Sequence, residues 1–116
     1  MPDTNVRDRL IEINEQGPNS SISTIAALGT NGYVVNSVPF AIYCSTKILD
    51  LGLEEMLRQI INADGDTDTN ASIAGQIAGT LIGTENIPTQ LILKLQNIPD
   101  YKWISQVIER TKLKII

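Results

Sequence analysis

The chain has 116 residues, enough for one domain, and 42% of them are hydrophobic but only 4% aromatic, so its core must be aliphatic and closely packed. A net charge of −4 without any basic stretch argues against nucleic-acid binding. The single cysteine excludes an internal disulfide, and neither a signal peptide nor a membrane span is recognised, so we expect a cytoplasmic protein that makes no use of membranes.

Hydrophobic spacing predicts helices along most of the chain and no strand of useful length, so the predicted fold class is all-α, in one domain without internal repeats. A first helix, weakly apolar on one face, ends at Gly17-Pro18. Residues 17–31 are rich in Gly, Ser and Asn. We predict that they are irregular apart from a helical turn near residues 22–28.

The second clear helix begins at Ser37-Val38-Pro39, because proline is well placed in a first helical turn. It runs to about Asp50 and is largely apolar, so we expect it to be buried. Cys44 lies within it and should be a buried structural thiol, because the chain has no histidine that could activate it as a nucleophile.

Four helices are predicted in the second half of the chain. Residues 53–61 carry apolar side chains with the i, i+3, i+4, i+7, i+8 spacing of an amphipathic helix. An Ala/Ile/Gly-rich helix follows over 71–83, then a short helix from Pro88 to Lys94 and a last one from near Pro99. The glycines at positions 75, 79 and 83 share one face, where we expect another helix to pack closely.

The segment Asp64-Gly65-Asp66-Thr67-Asp68-Thr69-Asn70, here called the acidic segment, carries a carboxylate at every second position and precedes the glycine-rich helix. Carboxylate, hydroxyl and amide oxygens are the ligands that Mg²⁺ prefers. The same residue types are also preferred N-caps, so the segment is equally interpreted as a capped, solvated acidic turn. A calcium-binding EF-hand loop is excluded, because the required Gly and Glu positions do not match in either register.

Three blocks of the sequence resemble the ADP-ribosylglycohydrolase family. The first runs from Gly65 through the acidic segment to Gly79, the second from Gly32 to Cys44, and the third is the helix exit at 83–88. They occur in the order and spacing of the family and cover residues 32 to about 95. The resemblance implies the orthogonal helical bundle of that family and hydrolysis of the bond between ADP-ribose and a protein side chain or related acceptor, with two Mg²⁺ ions.

By similarity, the metal ligands of the C-terminal half of that site are Asp66, Asp68 and Thr69. The ligand-binding residues implied are Asn31, Gly32, Tyr33 and Gly65. The block around Tyr33 borders the adenosine end of the substrate in the family, and its aromatic face can stack on adenine. A tyrosine of the hydrophobic core is the alternative interpretation.

The sequence also departs from the family pattern. Asp64 stands where the family usually has Gly, and Asn36 where many members have an acidic residue. The N-terminal Thr/Ser-Asp-Asp motif, which supplies the other metal ligands, is absent before residue 64, and the family domain is normally more than twice as long. We therefore interpret residues 1–116 as the C-terminal part of such a domain, without its N-terminal metal-binding part.

The predicted function follows from that interpretation. The chain would supply half of a two-metal site to a Mg²⁺-dependent ADP-ribosyl hydrolase and would be inactive alone; the alternative is a non-catalytic ADP-ribose-binding or structural remnant. Expected partners are an ADP-ribosylated protein or a small ADP-ribose compound, and a complementing N-terminal half or a second copy. We also expect an exposed apolar patch formed by the glycine-rich helix and the helix from residue 37 to residue 49.

Overall fold

The computed structural model describes residues 5–115, which contain helices, turns and irregular segments but no strand, so the predicted all-α class is confirmed. The α-helices of this part are α1 (Asn5–Gln16), α2 (Ile22–Ala26), α3 (Val34–Ser45), α4 (Ile48–Leu51), α5 (Leu53–Asn62), α6 (Thr67–Ile82), α7 (Thr89–Gln96) and α8 (Tyr101–Ile115). A 3₁₀ turn at Thr84–Asn86 lies between α6 and α7. No described helix is both long and apolar enough to cross a membrane. The chain divides into two compact units, Met1–Glu85 and Asn86–Ile116.

The first unit is built around α3, which packs against α1 on one side and α6 on another, while α5 packs against α6. Its core is aliphatic, as the composition predicts, with Phe40 the single phenylalanine at its centre. Burial of this apolar surface is the main source of stability for so small a unit. The fully or nearly buried apolar residues are Ile13, Ile22, Ile25, Phe40, Ala41, Tyr43, Cys44, Ile48, Met56, Ile60, Ala74 and Ala78.

The helix predicted from residue 37 to residue 50 differs from the observed one at both ends. It begins earlier, at Val34, because the Tyr33 carbonyl accepts hydrogen bonds from the amides of Asn36 (2.8 Å) and Ser37 (2.9 Å). It ends at Ser45, and a separate short helix, α4, follows. The Ser45 hydroxyl donates to the Ile42 carbonyl (2.6 Å), and such side-chain bonds compete with helix continuation.

The irregular segment before α2 is tied to α3 and to the turn between α3 and α4. The Tyr43 hydroxyl donates to the Ser20 carbonyl, and the Lys47 ammonium donates to the Pro18 carbonyl at 2.6 Å. Both acceptors are backbone oxygens that the turn leaves without a helical partner, so these bonds satisfy them. The connection from α1 to α2 is therefore held down although it contains no regular structure.

The glycine prediction for α6 is wrong in the described part of the chain. The residues that α6 buries are Asn70, Ala74 and Ala78, spaced four apart on the face toward the core. A Cβ atom added at Gly75 or Gly79 would meet no other atom within 4 Å, so no helix lies against the glycine face. The expected apolar patch is also only half right, because α3 is mostly buried, whereas Ile77 and Leu81 of α6 are exposed.

The second unit contains α7 and α8, neither of which has a buried residue. Pro88 directly precedes α7, as predicted, and its fixed φ suits the position at the start of a helix. The last helix begins at Tyr101, two residues after Pro99, also close to the prediction.

Candidate metal and ligand site

The acidic segment forms the N-terminus of α6. Asp66 is the N-cap residue, and its Oδ1 atom lies 3.4 Å from the amide nitrogen of Thr69. The same amide donates to Oδ1 of Asp68 at 3.1 Å, so the two carboxylates share one donor. The structure thus brings the three residues named as metal ligands together in the first turn of α6, and it also realises the capping role of Asp66.

The charge state of Asp66 follows from these contacts. Side-chain hydrogen bonds with Asp68 and with the Thr69 hydroxyl hold the pKa of the Asp66 carboxyl below its usual range, because they favour the ionised form. The N-terminal end of a helix adds a favourable field for a negative charge. Near neutral pH the Asp66 carboxylate is therefore a fixed anion beside a second carboxyl group.

The loop of residues 29–33, here called the 29–33 loop, is bonded to the start of α6. The Thr30 carbonyl accepts from the Asp66 amide (2.9 Å) and from Nδ2 of Asn70 (2.8 Å). A Cβ atom at Gly65 would lie 2.2 Å from Oγ1 of Thr30, and Gly65 has a φ of +81°, so only glycine fits there. A Cβ atom at Gly32 would lie 2.5 Å from Oδ2 of Asp66. The loop backbone therefore rests directly on the carboxylate.

Asn70 fixes this arrangement from inside the unit. The Asn70 side chain is fully buried, and its Nδ2 atom donates a hydrogen bond to the Thr30 carbonyl. Its Oδ1 atom is also buried but has no hydrogen-bond partner among residues 5–115. A buried amide that is only half satisfied is costly, so what Asn70 contributes is its one bond to the Thr30 carbonyl. In the sequence Asn70 stands among the oxygen-bearing residues of the acidic segment, and nothing there predicts this bond.

The outer side of the 29–33 loop is held by a second set of polar side chains. Asn31 Oδ1 accepts from the Tyr33 amide (3.0 Å) and from Nδ2 of Asn36 (2.8 Å). Asn36 Oδ1 in turn accepts from the guanidinium of Arg9 at 2.7 Å. Arg9 could not be predicted from the sequence, because nothing local distinguishes it from an ordinary charged residue near a helix start.

Tyr33 is 57% exposed, which makes the core interpretation of this residue wrong. Its side chain is one of the exposed apolar surfaces next to Asn31 and Gly32, which are also exposed. Asp64, by contrast, closes the turn after α5, with a φ of +62° and its amide bonded to the Ile61 carbonyl at 3.2 Å. The structure places it at the turn rather than among the contacts of Asp66.

The donor set at the start of α6 has the chemistry of a hard-cation site but is small. It offers two carboxylates and one hydroxyl, all oxygen ligands of the kind Mg²⁺ binds. Within residues 5–115 no group of three or more His, Cys, Asp or Glu side chains lies close enough together to hold a metal ion. Further ligands would have to come from other oxygens or from another part of a larger domain.

Comparison with known protein families identifies the same relationship as the motifs. The model of the ADP-ribosylglycohydrolase family matches residues 3–115. The chain is similar to the ADP-ribosylhydrolase ARH3 of Bos taurus (34% identity over 86 residues, 66% of this chain and 24% of that protein). It is likewise similar to ARH3 of Homo sapiens (33% over 92 residues, 69% and 25%) and of Mus musculus (29% over 108 residues, 85% and 29%). The chain thus spans about a quarter of the length of these relatives. No solved structure matches it.

Proposed function

Because the chain belongs to the ADP-ribosylglycohydrolase family, we propose that it supplies the C-terminal part of the active site of a Mg²⁺-dependent ADP-ribosyl hydrolase. The substrate would be an ADP-ribosylated protein or a small ADP-ribose compound. The metal ligands in this part would be Asp66, Asp68 and Thr69.

The observation that carries the proposal is the convergence of two carboxyl groups on one amide at the start of α6. Adjacent carboxylates repel each other, and the repulsion is relieved by a shared proton or by a cation. The lowered pKa of Asp66, caused by its hydrogen bonds with Asp68 and Thr69, keeps this carboxyl group ionised, as a cation ligand has to be. A simple N-cap needs only one of the two carboxylates.

A bound Mg²⁺ ion would supply Lewis acidity and a fixed positive charge beside the scissile bond. The chain's own contribution is to hold the ligands in place. Asp68 and Thr69 are held by the first turn of α6. The Asp66 amide donates a hydrogen bond to the Thr30 carbonyl, which holds the N-cap residue. Because Gly32 has no side chain, it leaves room for the Asp66 carboxylate.

The exposed surface beside these ligands is suited to the nucleotide. Gly32 lies directly against the Asp66 carboxylate, its neighbour Asn31 is exposed, and the exposed ring of Tyr33 offers a flat apolar face. We infer that the ADP-ribose lies along this loop, with Gly65 shaping the turn under Thr30. Stacking of adenine on Tyr33 is part of this proposal.

A complete two-metal site needs ligands that this chain does not provide. The 116 residues contain no Thr-Asp-Asp or Ser-Asp-Asp sequence. We propose that a complementing N-terminal portion carries it, and that the isolated chain binds Mg²⁺ no tighter than about millimolar, as expected of few oxygen ligands.

The proposal is tested by complementation. The chain is mixed or co-expressed with an N-terminal portion of the family that carries Thr/Ser-Asp-Asp, and release of free ADP-ribose from a modified peptide is measured with and without Mg²⁺. We expect turnover only in the mixture, and Asp66→Asn or Asp68→Asn to lower it at least about 10²-fold because each removes a charged metal ligand.

The matched control is Asp64→Asn, which changes the same charge in the same segment at a residue outside the proposed ligand set. The turnover of this variant should stay within about threefold of that of the unchanged protein. Solvent screens a charge at the surface, so its removal has only a modest effect on a nearby metal site. Turnover that survives Asp68→Asn would contradict the metal assignment. ADP-ribose binding without turnover in the complemented pair would instead favour the non-catalytic alternative.

A further inference from the structure

The 29–33 loop is bonded on two sides, and only one of them belongs to the acidic segment. On the inner side, Thr30 is bonded to Asp66 and Asn70. On the outer side, a chain of three side chains runs from α1 through α3 to the loop: Arg9, Asn36 and Asn31. The proposed function uses the exposed surface at Asn31 but makes no use of Arg9, of Asn36 or of the bonds between these side chains.

The chemistry of the outer chain fixes its direction. A guanidinium only donates hydrogen bonds, so Asn36 must turn its oxygen toward Arg9, at 2.7 Å, and its NH₂ group toward Asn31. Asn31 then has to present its oxygen, which it does at 2.8 Å from Asn36 Nδ2. The same oxygen accepts the Tyr33 amide at 3.0 Å and so shapes the turn that enters α3.

Packing leaves Asn36 little freedom to do anything else. The carboxamide carbon of Asn36 lies 2.7 Å from the point that a Cβ atom at Gly29 would occupy, so the side chain covers the start of the loop. The Arg9 side chain is only 19% exposed, and its Nε atom is 3.8 Å from a carboxylate oxygen of Glu12. A partly desolvated, charge-assisted hydrogen bond is stronger than a neutral one at the surface.

We propose that Arg9 is a positioning residue that acts through Asn36 and Asn31 to hold the 29–33 loop against the Asp66 carboxylate, and thereby sets the affinity of the site for ADP-ribose. The loop part of this proposal rests on contacts alone. The affinity part rests on the proposed function of the site.

The loop part is tested by amide hydrogen exchange of Tyr33 in the full chain, followed by NMR. Arg9→Met keeps the aliphatic stem and removes the donor. Asn36→Asp keeps an acceptor for Arg9 but faces Asn31 with a second oxygen, so Asn31 must flip and release the Tyr33 amide. We expect both variants to speed Tyr33 exchange up to about tenfold, the equivalent of losing the one hydrogen bond that the Asn31 side chain accepts from this amide.

The matched control is Arg58→Met, which removes an arginine that pairs with Glu54 and Glu55 on the exposed face of α5. It should leave Tyr33 exchange within about twofold, as expected for an exposed ion pair. If circular dichroism shows that Arg9→Met is poorly folded, the test rests on Asn36→Asp, which keeps the bond to Arg9 and with it the contact between α1 and α3. Unchanged exchange in a folded Asn36→Asp protein would overturn the proposal.

The affinity part is tested with ADP-ribose and Mg²⁺ by calorimetry on the same proteins, with the complementing portion present. We expect the dissociation constant to rise about tenfold in Arg9→Met and not in Arg58→Met. Faster exchange with unchanged affinity would overturn the role of Arg9 in binding. Absence of ADP-ribose binding by the unchanged protein would refute the proposed function and the affinity part together, and the exchange result would still decide the loop part.

Discussion

Gly32 and Gly65 both lie in close contact with a neighbour at the junction of the 29–33 loop and α6, but the neighbours differ. At Gly65 the obstacle is the backbone carbonyl of Thr30, 2.4 Å from a Cβ position, together with a positive φ. At Gly32 the obstacle is the tip of the Asp66 side chain, which can move. The first site therefore governs folding and the second governs the position of a carboxylate.

This distinction predicts that one alanine variant mainly loses stability and the other mainly loses ligand binding. Gly65→Ala should lower the free energy of unfolding by about 2 kcal/mol or more, because neither the backbone conformation nor the neighbouring backbone can accommodate it. Gly32→Ala should cost less than about 1 kcal/mol in the same urea denaturation experiment but should weaken ligand binding in the complemented protein. Equal losses of stability would show that the Asp66 side chain is as rigid as the Thr30 backbone.

The lowered pKa of Asp66 predicts how stability depends on pH. A carboxyl group whose pKa is lower in the folded state stabilises the fold above its unfolded pKa of about 4 and loses that contribution as the pH falls through the folded value. Asp66→Asn keeps an oxygen that can cap the helix but does not titrate. In urea denaturation between about pH 6 and about pH 2, the unchanged protein should therefore lose more stability than the variant. Parallel curves would contradict the assignment.

Cys44 provides the complementary case at high pH. Burial raises the pKa of its thiol to about 12, and the residue has no exposed surface. We expect no reaction with a thiol reagent at about pH 8 in the folded protein, and full reaction in denaturant, because the thiolate is the reactive form. Its contribution to stability should be present below the unfolded pKa of about 8.5 and decline as the pH rises above it. Rapid labelling under native conditions would contradict the burial of α3.

At the scale of elements, α6 carries its glycines on the face that its neighbours leave open. Gly75 is in the helix interior with no atom within 4 Å of a Cβ position. Gly75→Ala should therefore raise the free energy of unfolding by about 0.5–1 kcal/mol through helix propensity, without steric cost. Urea denaturation beside Gly65→Ala measures this directly. A loss of stability would mean that the glycine face is covered in solution, for example by a second copy.

The sequence predicts the helices well and their boundaries less well, for identifiable reasons. Apolar spacing locates α5, because its buried residues Met56 and Ile60 lie on one stripe. The start of α3 is missed, because it depends on the backbone carbonyl of Tyr33, which accepts the first amides of the helix and leaves no signal in the sequence. The break at Ser45 is missed because a hydroxyl competing for a carbonyl leaves the apolar pattern unchanged.

The candidate site shows the same division. Asp66, Asp68 and Thr69 are adjacent in sequence, so their clustering at a helix start follows from spacing and capping preferences. Thr30 could not be found in this way, because it acts through its carbonyl, which every residue possesses. Asn70 and Arg9 act across 40 and 27 positions of the chain, and only the packing of α1, α3 and α6 brings them to their partners.

At the scale of the whole molecule, the hydrophobic core found within residues 5–115 belongs to the first unit. The buried residues end at Ala78, and the partly buried apolar residues packed on them end at Ile82. The end of α6 is closed by Gly83, whose amide donates to the Gly79 carbonyl at 2.9 Å. The described core residues of this unit and the end of its last helix thus lie within residues 5–85.

A chain that ends after Glu85 should therefore fold on its own and keep the candidate site. We expect its free energy of unfolding to lie within about 1 kcal/mol of the full chain, because no buried residue is removed. Helical circular dichroism, Cys44 protection from a thiol reagent and slow exchange of the Tyr33 amide would all be retained. The matched control is a chain that ends after Ala63, which loses Ala74 and Ala78 from the core and should unfold. If the chain that ends after Glu85 is unfolded, the first unit depends on α7 and α8 for its stability, which would contradict this prediction.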